Sequence, residues 1–176
     1  MHKLTTEELH RLSKEAYATV EKLPVVVLLD NVRSLSNVGA VFRSADAFRI
    51  GEVWLCGITA CPPHREIHKT ALGADETVPW RYFETTAAAC EELKAMGYGI
   101  FAVEQVEGSV KLQDFKAEPR MAFVMGNEVD GVGEEVLPYC TGALEIPQEG
   151  TKHSLNVSVC SGIIMWELFK QLSLNG

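Results

Sequence analysis

Val25-Val26-Val27-Leu28-Leu29 decides the fold. A continuous β-branched and aliphatic run, without polar alternation, marks a strand buried on both faces, and such strands belong to parallel sheets covered by helices. Short apolar runs recur at 53–56, 99–103, 121–125 and 143–146. Between them the apolar spacing predicts helices near 38–49, 64–72, 86–96 and 154–172. This alternation predicts an α/β fold: a mostly parallel sheet with helices on both faces. Upstream, Thr5 and Glu8 have capping-box spacing, and Leu9, Leu12, Ala16, Val20 and Leu23 recur every three or four residues. An amphipathic helix over 6–22, ended by Pro24, is expected. The organisation is then an N-terminal helical arm, 1–23, and one domain over 24–176, with no internal repeat or low-complexity linker.

The 176 residues, 47% of them hydrophobic, suffice for one core and are too few for two enzymatic domains. No apolar run approaches the roughly 20 residues that cross a bilayer, and the first residues lack a signal-peptide block, so a soluble cytoplasmic protein is expected. Cys56, Cys61, Cys90, Cys140 and Cys160 are an odd number without a regular framework, which predicts reduced thiols. The net charge of −8 argues against a general nucleic-acid coat. Its distribution is uneven. Residues 1–83 carry ten acidic and ten basic side chains, 84–150 thirteen and four, and 151–176 one and two. A polyanion should therefore meet the first half of the chain.

Three strand-to-helix segments carry the candidate chemistry. In the first, Asn31 to Asp46, Val38, Val41, Phe42, Ala45 and Phe48 form a helix stripe that Gly51 is suited to cap, and Arg43 falls off it. A lone helix arginine is ordinarily a solvated one. With Asn31, Arg33 and Asn37 in one loop at the carboxyl end of a strand, the place where open α/β sheets bind ligands, that ordinary reading weakens. The second segment, Met125-Gly126-Asn127-Glu128-Val129-Asp130-Gly131-Val132-Gly133-Glu134-Glu135, permits close backbone approach but is no phosphate loop. Its carboxylates would repel a polyphosphate and suit a neutral or cationic ligand. The third, Ile146 to Ser161, leads through Pro147 and Gly150 into a helix whose start is rich in Ser and Asn. Ser154 lacks a nucleophile elbow and reads as a capping or binding residue. Cys61-Pro62-Pro63-His64-Arg65-Glu66-Ile67-His68 has permissive metal spacing but no fourth ligand nearby, so no metal is expected.

Taken in order, these segments resemble the three motifs of the SpoU, or TrmH-like, RNA ribose 2′-O-methyltransferases of the SPOUT class. Asn37, Gly39 and Arg43 match the first motif, Gly126, Glu128, Gly131 and Gly133 the second, and Ile146, Pro147, Gly150 and Ser154 to Val159 the third. The resemblance spans 31 to about 161. Gln148 and Cys160 depart from the family's commoner Met and Ala.

The resemblance implies a SPOUT-type sheet with a C-terminal deep trefoil knot, S-adenosylmethionine as cofactor, a homodimer and an active site shared across its interface. It implies that Val103, Gly126, Ile146, Ser154 and Leu155 hold the cofactor, and that Arg43, Asn37, Glu128 and Asn156 serve transfer to a ribose 2′-hydroxyl. In the family Arg43 would contact phosphate and ribose and act as general base, yet a free guanidinium stays protonated, which favours electrostatic positioning. Asn37 and Asn156 would position, and Glu128 would orient Arg43 or other donors. Trp166, Phe169 and Leu172 are expected at the dimer contact. With one arm helix and no separate recognition domain in view, tRNA is favoured as substrate over rRNA. Two other classes are a catalytically silent RNA-binding member, which Asn37, Arg43, Ser154 and Asn156 argue against, and a flavodoxin-like nucleotide-binding domain, which the acidic glycine loop argues against.

Overall fold

A computed structural model describes residues 1–5 and 7–174. Seven strands form one sheet: β1 (Leu23–Asp30), β2 (Ile50–Cys56), β3 (Trp80–Phe83), β4 (Gly99–Val103), β5 (Val110–Lys111), β6 (Met121–Met125) and β7 (Gly142–Glu145). Their order is β3-β2-β1-β6-β4-β7-β5, and every pairing is parallel. The deciding stretch lies in β1, between β2 and β6, and all five of its residues are buried.

Alternation along β1 assigns the two faces. Val25, Val27 and Leu29 share one core with Phe42 and Ala45 of α2 (Leu35–Ala47), Ile67 of α3 (Arg65–Ala71), and Ile164, Met165 and Leu168 of α5 (Val157–Phe169). Val26 and Leu28 share the other with Ala89, Cys90 and Leu93 of α4 (Thr86–Ala95) and with Trp54. Helices on both faces explain why these strands read as unbroken apolar runs. Close approach of α2 to α3 requires Gly39, because a Cβ there would lie 1.9 Å from Thr70 Oγ1 and 2.4 Å from the Ile67 carbonyl oxygen. One glycine of the first motif is thus a packing residue. All five cysteines are free.

Three local expectations need correction. The arm is not one helix over 6–22: its first residue, Thr6, lies outside the described residues, and α1 covers only Lys14–Thr19. The capping box does form, with Thr5 N–H donating to Glu8 Oε2 at 2.7 Å and Glu8 N–H to Thr5 Oγ1 at 3.3 Å. Its turn then stops at His10, whose φ is +47°, and Ser13 caps α1 anew. Leu4, Leu9 and Leu12 stay exposed, so the apolar stripe has no surface here on which to complete a longer helix. Gly51 does not cap α2. Arg49 takes the left-handed position, φ +52°, while Gly51 lies inside β2, where a Cβ would meet the Leu23 carbonyl oxygen at 2.7 Å. Finally, the last helix starts at Val157 rather than 154 and passes into a π-helical turn over Lys170–Leu174.

Candidate functional site

The carboxyl ends of β4, β6 and β7 open into a cleft of about 480 Å³. Every residue expected to hold a cofactor lines it: Val103 at the end of β4, Gly126 after β6, Ile146 after β7, and Ser154 and Leu155 ahead of α5. Such a position is where the loops of an open parallel sheet leave room for a ligand. Met125, Leu144 and Val157 add apolar wall. Glu104, Glu128, Asp130 and Glu145 give the lining four carboxylates, and no Lys or Arg joins them. A cleft with this charge repels a polyphosphate and accepts a neutral or cationic ligand. Cys160 also faces it; burial pushes its thiol up to about 11, so it serves as protonated, weakly polar wall.

One chain of hydrogen bonds ties the three segments together. Asn156 Nδ2 donates to Asn37 Oδ1 at 3.1 Å, and Asn37 Nδ2 donates to Glu128 Oε1 at 3.0 Å. Glu128 also accepts from the Ser34 N–H on Oε1 and the Arg33 N–H on Oε2, both at 3.2 Å. Burial by itself would raise the Glu128 carboxyl. Hydrogen bonds from Asn37 and from the N–H groups of Glu128, Arg33 and Ser34 outweigh it and hold the group below the ordinary glutamate value. Asn156 caps α5, its Oδ1 accepting from the Ser158 N–H at 2.9 Å and the Val159 N–H at 3.4 Å. Ser34 caps α2 by accepting from the Asn37 N–H at 3.3 Å. Two helix starts and the glycine loop are therefore fixed to one another through side chains at their ends.

Asp30, the last residue of β1, anchors the loop from beneath. It is buried, and accepts from the Gly133 N–H at 2.9 Å, from Asn31 Nδ2 at 2.9 Å and from the Thr86 hydroxyl. Glu104 accepts from the Val132 N–H at 3.2 Å, and Gln105 Nε2 donates to the His153 carbonyl at 2.9 Å. The sequence reading passed over these residues, although a carboxylate closing a wholly apolar strand signals a paired acid. Gly126 is required by its own loop, since a Cβ would lie 2.0 Å from the Gly131 carbonyl carbon and 2.2 Å from the Val132 nitrogen.

Arg43 stands apart from this cleft. It is exposed on α2 and lines a different concavity, beside the arm. Helical geometry accounts for the separation: six residues along an α-helix turn a side chain about 120° away from Asn37. Glu128 therefore orients Asn37 and two backbone N–H groups rather than Arg43. The Cys61, His64 and His68 combination is not assembled either. His64 caps α3, accepting on Nδ1 from the Glu66 N–H, and His68 Nδ1 pairs with Asp75 at 3.1 Å. Among the described residues no three His, Cys, Asp or Glu side chains converge as a metal site would require.

Residues 24–166 match the family model described as the SpoU rRNA Methylase family. Among curated proteins, the chain is 32% identical over 148 residues to the 23S rRNA (guanosine-2′-O-)-methyltransferase RlmB of Neisseria meningitidis serogroup B, which covers 84% of this chain and 59% of that protein. The chain thus spans about three fifths of that relative's length. Among solved structures, the A. aeolicus TrmH/SpoU tRNA modifying enzyme superposes with a TM-score of 0.81 at 25% identity, over 91% of this chain and 81% of that one. The AdoMet-bound rRNA methyltransferase from Sinorhizobium meliloti superposes with a TM-score of 0.80 at 26% identity, over 89% of this chain and 60% of that one.

Proposed function

Because the chain belongs to the SpoU rRNA Methylase family, we propose that it is an S-adenosylmethionine-dependent RNA methyltransferase acting on a ribose 2′-hydroxyl. The observation that carries this reading is the cleft at the sheet's carboxyl edge, with four carboxylates, no Lys or Arg, and an apolar wall. An adenosine bearing a sulfonium cation fits that lining, and FMN or a polyphosphate does not. The S. meliloti structure, with AdoMet bound, supports the assignment. Backbone at Val103, Gly126, Ile146 and Leu155, with the Ser154 hydroxyl, would hold the group.

A bound S-adenosylmethionine would supply the methyl group as an electrophile, its sulfonium sulfur leaving as a neutral thioether and the ribose hydroxyl giving up its proton. The chain's own contribution is placement. Asn37 and Asn156 present amide groups fixed by Glu128 and by the α5 cap, so that the ribose meets groups already oriented. Arg43 contributes a permanent positive charge for the RNA backbone rather than a base. Since Arg43 points away from the Asn37 side of α2, it would complete the site of a second copy. A homodimer follows, and α5 suits it: Val159 and Trp166 are exposed on a helix whose opposite side is core, with Phe169 and Leu172 beside them. The division into an arm (1–23) and a catalytic domain (24–176), and threading of the C-terminal segment into a trefoil knot, belong to the same proposal, as does action in the cytoplasm. No described helix is long and apolar enough to cross a membrane.

The relative named as a 23S rRNA methyltransferase moves rRNA ahead of the tRNA that compactness favours. The tRNA reading retains support in the A. aeolicus tRNA modifying enzyme, 81% of which is covered. Calorimetry tests the cofactor: S-adenosylmethionine should bind and FMN should not, and the reverse would return the chain to the flavodoxin-like class. Mapping 2′-O-methyl sites in total RNA from cells with and without the gene then assigns the RNA, a lost site in 23S rRNA being the expected result.

A further inference from the structure

The arm and α2 enclose a second concavity, of about 500 Å³, that the transfer chemistry above leaves unused apart from Arg43. Arg11, Lys14, Arg43 and Arg49 line it, against one carboxylate, Asp46. In a chain of net charge −8 this is a local reversal of sign. Lys14 is paired with Glu76, and Asp46 accepts from the Thr77 hydroxyl at 2.8 Å. Arg11, Arg43 and Arg49 form no ion pair among the described residues. Arg49 is held in place by Ser173, to whose Oγ its Nη2 donates at 2.8 Å.

A second observation points to a ligand. Tyr17, also in the wall, is only 6% exposed, and its hydroxyl is a buried side-chain polar atom with no hydrogen-bond partner among the described residues. Buried hydroxyls are nearly always paired, because an unpaired one forfeits the water it left behind. Lys22 Nζ stands 3.6 Å over the ring, fixing its plane. Burial, reinforced by Asp46, pushes the hydroxyl well up, so it is a donor across the physiological range. An orphan donor and unpaired guanidinium groups around one hollow make the complement of an oxyanion.

We propose that this concavity binds a backbone phosphodiester of the RNA strand that carries the target ribose, with Tyr17 donating its hydroxyl and Arg11 and Arg49 supplying charge. The inference rests on the RNA methyltransferase reading. A polymer is favoured over a free anion because Arg43, given above to the RNA backbone at the site of a second copy, stands in the wall of this hollow, so a strand held by Arg43 passes it.

Fluorescence anisotropy with a short mixed-sequence oligoribonucleotide, across a salt series, tests it on the full chain. Tyr17→Phe should weaken binding roughly tenfold or more, as for one hydrogen bond to a charged group, while S-adenosylmethionine affinity is kept. Its melting temperature should hold or rise, since the free protein loses an unsatisfied donor; a hydroxyl with a merely structural role would lower it. Arg49→Gln should weaken binding similarly and lower the slope of log affinity against log salt by about one. The same charge change at Lys94, on α4 outside the hollow, should do neither. Oligoribonucleotide affinity of the wild-type value in folded Tyr17→Phe and Arg49→Gln overturns the proposal. So does tight competition by inorganic phosphate that Arg49→Gln abolishes without changing RNA affinity, which assigns the hollow to a free anion. Failure of the wild type to bind S-adenosylmethionine removes the transferase reading instead, and is seen in calorimetry independently of these variants.

Discussion

Glu128 is exposed at the surface yet accepts hydrogen bonds from Asn37 and from the N–H groups of Arg33 and Ser34. Glu128→Gln would turn one acceptor oxygen into a donor facing donors. A loss of about 1 kcal/mol in urea unfolding is expected, the modest size reflecting solvent exposure. The pH dependence has a definite sign. A carboxyl held below its ordinary value stabilises the fold above that value, and the contribution is lost as pH falls through the lowered one. The wild type should therefore lose more stability than Glu128→Gln as the solution is acidified from neutral pH, the difference opening as pH falls below about 5. Parallel acid limbs for the two proteins would show that the carboxylate is not the group that holds Arg33, Ser34 and Asn37.

At the scale of elements, Asn156 serves two structures at once: its Oδ1 caps α5 and its Nδ2 holds Asn37. Two substitutions separate these duties. Asn156→Asp keeps the α5 cap and loses only the bond to Asn37, so stability should fall by about 1 kcal/mol, while methyl transfer falls at least tenfold because a carboxylate oxygen then faces Asn37 Oδ1. Asn156→Ala removes the cap as well and should cost about 1 kcal/mol in addition. Equal activity in Asn156→Asp and wild type would confine the residue to capping. The elements also show how far a single sequence reads. Strands β1, β2, β4, β6 and β7 were legible from unbroken apolar runs, because burial on both faces leaves no alternative composition. Edge strands β3 and β5 were not: Arg81 and Tyr82 of β3 are exposed, and β5 is two exposed residues. The arm misled because a stripe of leucines implies a surface to pack on, which the isolated chain does not provide. The cofactor-side residues were gathered in one cleft as the motifs imply. Asp30 and Glu104 were missed because their partners, Gly133 and Val132, are backbone groups distant in sequence, which no spacing rule exposes.

For the whole molecule, the geometry of α2 separates Asn37 from Arg43 within one chain, and α5 leaves Trp166 and Val159 in solvent. The proposed dimer, joined through α5, would resolve both. Trp166→Asp should convert a sedimentation mass of twice 19.4 kDa into that of one chain and abolish transfer, while S-adenosylmethionine binding persists within a few fold. An active monomer at assay concentrations would show instead that Arg43 of one chain reaches its own site. The central claim, methyl transfer to a ribose oxygen, is tested most directly by the alkali stability of the product. RNA treated with the protein and methyl-labelled S-adenosylmethionine is hydrolysed in alkali, which cleaves only beside a free 2′-hydroxyl. The account predicts label in alkali-resistant dinucleotides, lost with Arg43→Ala; label in mononucleotides, or none with any RNA to which the S-adenosylmethionine-loaded protein binds, would contradict it.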